Sequence, residues 1–169
     1  MTSELTGLIL IVLLLTVWSS CNGAEPAAGR SAGERYREAE SGDWKPVFSD
    51  PCTGDWKKSW TLDGEKARIT NTSEGMDFCA GPEFGNDAHH AVLWTRESFS
   101  GDLRLDYEYT RLDDSKQGAV TILYLLATGS GKGPHAKDIS EWAGLRRVPA
   151  MKTYFNNMNA LHVSYAAFK

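Results

Sequence analysis

The sequence predicts a mostly β domain, a sandwich or barrel, carried behind an export signal and a polar tether. Three observations point there. Short runs rich in Val, Leu, Tyr, Trp and Thr recur between clusters of Gly, Asp, Asn and Pro, the pattern of strands joined by turns. One run alternates apolar and charged residues, and another is apolar on both faces, the two ways a strand sits in a layered β fold. The chain also opens on an apolar stretch followed at once by small residues.

That opening stretch, Leu8 to Trp18, reads LILIVLLLTVW. A bilayer-spanning helix needs roughly 20 apolar residues. This run is shorter and has the length of a signal-peptide core. Ser19, Ser20, Cys21, Asn22, Gly23 and Ala24 follow, so a signal peptidase could cut near Gly23 or Ala24. V-W-S-S-C is also similar to a bacterial lipobox, which would make Cys21 a lipidated N-terminus. Trp18 departs from that pattern, and the segment before the run holds Glu4 and no Lys or Arg. Residues 1–23 are therefore expected to be a signal peptide or a lipoprotein signal. The mature protein would be periplasmic, an outer-membrane lipoprotein attached through Cys21, or extracellular.

Residues 24–42 are rich in Ala, Gly, Ser, Glu and Arg and lack β-branched side chains, as a flexible linker does. Within them, Glu34 to Glu40 has the composition of a transient helix. The domain is expected over residues 43–169. Trp44 to Phe48 and Trp56 to Leu62 read as extended segments split by the turn-like Ser49-Asp50-Pro51. Asp63-Gly64 is a turn signal before Lys66 to Thr70, and Ala91 to Thr95 is a short apolar run.

Asp102 to Leu112 is the clearest strand, with Leu103, Leu105, Tyr107 and Tyr109 alternating against Arg104, Asp106, Glu108 and Thr110. Ala119 to Ala127 is apolar on both sides, as a covered central strand would be. Ser140 to Leu145 offers a helical turn, and Ala160 to Phe168 is strand-like again. The chain stops at Lys169 straight after that run, with about six or seven strands in hand. A sandwich ending there would leave an edge or a sheet face uncovered, so a C-terminally truncated domain is expected.

The formal net charge is -4 and the pI about 5.6, and no basic patch interrupts the chain, which sets nucleic acid aside as a partner. With Cys21 removed or lipidated, Cys52 and Cys79 are left. They either pair in an oxidising compartment, with stabilisation on the order of 3 kcal/mol, or serve as small buried side chains.

DWKPVFSDP, AVLWTRESFSGDLRLDYEYTRLDD and NMNALHVSYAAF, in that order and spacing, resemble the YesU-like family, a domain of unknown function found among bacterial pectin and rhamnogalacturonan utilisation proteins. The likeness covers the N-terminal part of the family domain. It implies the concanavalin A-like lectin/glucanase fold, an antiparallel β-sandwich or jelly roll, and a carbohydrate context.

Candidate chemistry is sparse. Sandwich glycosidases set two carboxylates roughly 5 to 9.5 Å apart, and the usual Glu-x-Asp-x-x-Glu of glucanases on this fold is absent. Asp106 and Glu108 project together from the polar face of one strand, a face that solvation alone would also explain. His162 stands in the NALHVSY run near Ser164 and Tyr165, where a histidine beside a tyrosine could abstract a proton in a polysaccharide lyase. Arg104 or Arg111 would neutralise a uronate there; a hydrogen-bonded strand histidine is the plainer reading. Glu108 and His162 are the catalytic candidates.

His89 and His90 point opposite ways if extended and so do not make a metal pair. Asp50, Asp113 and Asp114 lack calcium-loop spacing. No metal and no cofactor is expected, and Ser164 lacks a nucleophile-elbow context.

Six Trp and six Tyr supply flat faces for sugar rings. Trp94, Trp142, Tyr107, Tyr109 and Tyr154 are the candidate platforms; Tyr107 and Tyr109, on the Leu103/Leu105 face, read as core, while Trp142 and Tyr154, in an irregular segment, are expected to be exposed. Arg104, Asn159 and Tyr165 complete the substrate-binding set. The sequence thus predicts an exported protein that binds or processes a plant- or alga-type polysaccharide as a glycoside hydrolase or polysaccharide lyase. A non-catalytic binding or scaffold protein and a product without function are the alternatives.

Overall fold

The computed structural model describes residues 10–11, 15–19, 29–112 and 120–165. Strands and helices follow the order β1 (Leu10–Ile11), β2 (Leu15–Ser19), α1 (Ala32–Glu40), β3 (Lys45–Asp50), β4 (Trp60–Asp63), β5 (Arg68–Asn71), β6 (Met76–Cys79), β7 (Val92–Thr95), β8 (Leu103–Asp106), β9 (Thr121–Gly129), α2 (Met151–Asn157) and β10 (Met158–Tyr165). Short 3-10 helices lie at Trp56–Lys58, Asp87–His89 and Ile139–Arg146.

The strands pair in four small antiparallel sheets, ordered β1-β6-β5, β3-β2-β8, β4-β7 and β9-β10. The expected concanavalin A-like sandwich is not what the chain forms. Helix accounts for 23% and strand for 34%, and among the described residues no two sheets stack as a jelly roll. The cause is visible in strand length. β4 to β8 run only four residues each, with turns and 3-10 segments between them. Asp102 to Leu112 shows the same effect. Its ladder ends at Asp106, so Glu108 lies outside the strand and shares no strand face with Asp106.

Local chemistry explains where the helices start. Ser31 caps α1, its hydroxyl accepting from Glu34 N while the Glu34 carboxylate accepts from Ser31 N at 2.8 Å, a reciprocal capping box. α1 buries no side chain, so this cap and the exposed Arg30–Glu38 ion pair help hold it. Asp138 opens the 3-10 helix at Ile139–Arg146 by accepting from Ser140 N at 2.8 Å. Tyr154, expected in an irregular segment, lies instead on α2.

Two cores result. In the first, Phe48, Cys52, Trp60 and Met76 are buried, with Leu93, Phe99, Leu103 and Leu105 packed against them. Phe48 meets Trp60 and Phe99 edge-on, at 6.0 and 5.8 Å between ring centroids. The second core gathers Asp63, Trp94, Trp142, Arg146 and Tyr154 beneath β9-β10. β9 carries a bulge there. Leu126 has a left-handed backbone (φ 52°), and the register shifts between Asn159 and Leu161. The face of this two-stranded sheet that bears Leu161 and Val163 is exposed.

The apolar run read as an export signal supplies β1 and β2, the latter between β3 and β8. Cys21 lies outside the described residues. No helix among the described residues is long and apolar enough to cross a membrane.

Candidate functional site

A buried polar arrangement centres on Asp63, which closes β4. Asp63 precedes Gly64, whose backbone (φ 118°) turns so tightly that a Cβ there would stand 2.6 Å from His90 O. In the β4-β7 ladder, Asp63 faces Val92 and Thr61 faces Trp94, which makes Asp63 and Trp94 diagonal neighbours on one face.

Three groups donate to the same carboxylate oxygen, Asp63 Oδ2: Trp94 Nε1 at 2.7 Å, Arg146 Nε at 2.7 Å and Tyr154 OH at 3.0 Å. Asp63 is 4% exposed and Arg146 2%, so this is a buried ion pair. Arg146 also donates from Nη1 to Ile139 O at 2.6 Å and lies 4.4 Å above the Trp142 ring. Burial, and then the Asp63 charge, pushes the Tyr154 hydroxyl far above the usual tyrosine range, so it stays a donor.

Over this base lies an aromatic layer. Tyr124 stacks on Trp94 (5.6 Å, 26°) and on Tyr154 (6.0 Å, 27°). Tyr124 faces His162 across the β9-β10 ladder, their rings 6.4 Å apart. The Tyr124 hydroxyl is buried and finds no hydrogen-bond partner, and burial raises its pKa. At the outer end Phe155, 59% exposed on α2, stands edge-on to His162 at 6.1 Å and 71°. Lys152, also exposed, lies three residues before Phe155 and four before the exposed Asn156, so it neighbours both on the outer side of α2.

Of the residues singled out from sequence, Trp94, Tyr154 and His162 belong to this cluster, and Trp142 joins it through Arg146. The expected exposure of Trp142 and Tyr154 is corrected: they are 2% and 1% exposed, and Trp94 7%, so none presents a ring face to a sugar. They hold the layer.

Glu108 is exposed beyond β8, and Arg104 Nε is engaged by the Asp106 carboxylate at 3.1 Å. Nothing in the described residues brings Glu108 to His162. Asn159 is exposed on β10, its Nδ2 donating to Gly129 O at 3.4 Å. Tyr165 pairs with Thr121 at the end of the ladder, and its side chain lies outside the described residues.

Cys52 and Cys79 are both buried, with their sulfurs near the backbone carbonyls of Asp50 (3.7 Å) and Ala80 (3.3 Å). His89 Nδ1 accepts from Glu83 N at 3.0 Å, and His90 Nδ1 lies 3.3 Å from Pro149 O, so each is tied to a different loop. Asp50 is occupied by Cys52 N and Trp60 Nε1, and Asp113 and Asp114 lie outside the described residues. Among the described residues, no group of three or more His, Cys, Asp or Glu could hold a metal ion.

Sequence reasoning missed Asp63, Tyr124, Arg146 and Phe155. Asp63 was visible only as half of a turn signal, and Tyr124 only as part of an apolar strand. Compared with protein-family models, with the curated proteins and with the solved structures, the chain matches none.

Proposed function

We propose that this chain binds an acidic saccharide without transforming it, at the corner made by Phe155 and His162. The observation that carries the reading is the exposed Phe155 ring, set edge-on to His162 over a rigid aromatic and ion-paired base. An apolar ring face stacks on the C–H face of a pyranose, as aromatic platforms do for flat ligands generally. Lys152 and Asn156, on the same helix face, offer a cation for a uronate carboxylate and an amide for hydroxyls. His162 adds a donor or acceptor at the wall. Binding is favoured over catalysis because Glu108 stands away from His162, and the tyrosine that does face His162, Tyr124, keeps its hydroxyl buried, out of reach of a saccharide proton.

The test is an NMR or calorimetric titration with oligogalacturonides and with neutral oligosaccharides. Acidic oligosaccharides should bind better than neutral ones. Phe155→Ala should weaken binding about tenfold, equivalent to about 1.4 kcal/mol, with the fold unchanged because the ring is exposed. Lys152→Ala should remove the acidic preference. Equal binding by Phe155→Ala and the parent would refute the site.

A further inference from the structure

The backbone of β2 lies between β3 and β8 and runs antiparallel to both. Thr16 faces Ser49 and Asp106, Val17 faces Phe48 and Leu105, Trp18 faces Pro46 and Arg104, and Ser19 faces Lys45 and Leu103. β3 and β8 are therefore parallel to one another and share no ladder of their own. Each stands one strand spacing, about 4.8 Å, from the segment between them. Together they form a slot the width of one extended chain.

The walls are set by other parts of the fold. Phe48 is buried with Cys52, Trp60 and Met76, and Leu103 and Leu105 pack on that cluster. Pro46, which has no N–H to give, sits where the β2-β3 register shifts, a position that tolerates proline. Charged side chains also flank the slot, Arg104 paired with Asp106 and the Asp50 carboxylate accepting from Cys52 N and Trp60 Nε1. Asp50 and Asp106 stand opposite Leu15 and Thr16, while Arg104 and Lys45 stand opposite Trp18 and Ser19.

We infer that the β3-β8 slot is a peptide-binding site of the strand-addition kind. Its ligand is one extended segment, apolar in the middle, running antiparallel to both walls, and Leu15–Ser19 is the occupant in the full-length chain. Two ladders of main-chain hydrogen bonds supply affinity, and alternate positions supply selectivity. The slot is independent of the saccharide corner, with which it shares no residue. Removal of the N-terminal run by processing would leave it open to an outside strand.

The experiment uses the full-length chain with a site-specific protease site placed between residues 22 and 28. After cleavage, the N-terminal fragment should co-elute with the domain and leave only on unfolding or exchange. A labelled peptide spanning residues 14–20 should replace it saturably, one per chain. The same peptide with Val17→Pro should bind at least tenfold more weakly, since proline removes a ladder donor and clashes in a central strand. Departure of the fragment with no change in thermal midpoint, or equal uptake of the parent and Val17→Pro peptides, would overturn the inference.

Discussion

Replacing Asp63 by Asn tests the buried network most directly. Asn keeps the shape and one acceptor oxygen but removes the charge that Arg146 faces at 2.7 Å. With Arg146 only 2% exposed, water cannot take over that role. Removing one partner of a buried pair costs about 3–5 kcal/mol. Three remaining contacts of Arg146, the Ile139 carbonyl and the Trp142 and Trp94 rings, hold part of its charge. A desolvated cation–π contact is worth about 2 kcal/mol, so the expected loss lies near the lower end, about 3 kcal/mol. Urea unfolding followed by tryptophan fluorescence measures it.

The double variant Asp63→Asn/Arg146→Met removes both charges and should cost at least about 1 kcal/mol less than the sum of the single changes, as contacting residues do. The exposed pair Arg147–Glu65 is the control, and Glu65→Gln should cost no more than about 1 kcal/mol. A loss under about 1 kcal/mol for Asp63→Asn, or strict additivity in the double variant, would refute the view that the ion pair holds the second core.

Three further outcomes follow from particular residues. Leu126 is left-handed (φ 52°) and exposed; Leu126→Gly relieves roughly 1 kcal/mol of backbone strain and gives back a similar amount in unfolded-chain entropy. Its thermal midpoint should therefore barely move, whereas Leu126→Val should lower it clearly. Tyr124→Phe removes a buried hydroxyl that has no partner and should raise stability by about 1 kcal/mol in chemical denaturation. Hydrogen bonds from Ser31, backbone first and then side chain, lower the Glu34 pKa. Its contribution to α1 is thus present above the unfolded carboxylate value and lost as pH falls through the lower folded one. The Ser31 and Glu34 amide shifts should report that loss, and Glu34→Gln should abolish the transition.

Much of the secondary structure was legible because it rests on local pattern. The runs at Ala91 to Thr95, Ala119 to Ala127 and Ala160 to Phe168 became β7, β9 and β10 within a few residues. The helical turn at Ser140 to Leu145 lies within the 3-10 helix Ile139–Arg146. What did not carry over was the layering. Alternation in Asp102 to Leu112 specifies a face only while a partner strand continues, and β8 loses its partner after Asp106. Periodicity has no term for that. The site was hidden for a related reason. Asp63 meets Arg146 and Tyr154 across 83 and 91 residues, separations that local patterning does not encode. Phe155, in a stretch without alternation, gave no strand signal and too short a helical one.

Division into two- and three-stranded sheets has a consequence for behaviour in concentrated solution. Among the described strands, only β2 and β6 have a neighbour on both sides; the other eight each leave one edge open. Open edges recruit other chains unless something blocks them. Pro46 and Lys45 guard β3, Arg68 stands on β5, and Arg104 and Asp106 stand on β8. β10 has no such gatekeeper between Ala160 and Ser164, and Leu161 and Val163 lie exposed along it. Self-association at high concentration should therefore begin at β10, where a single Val163→Lys change would be expected to suppress it.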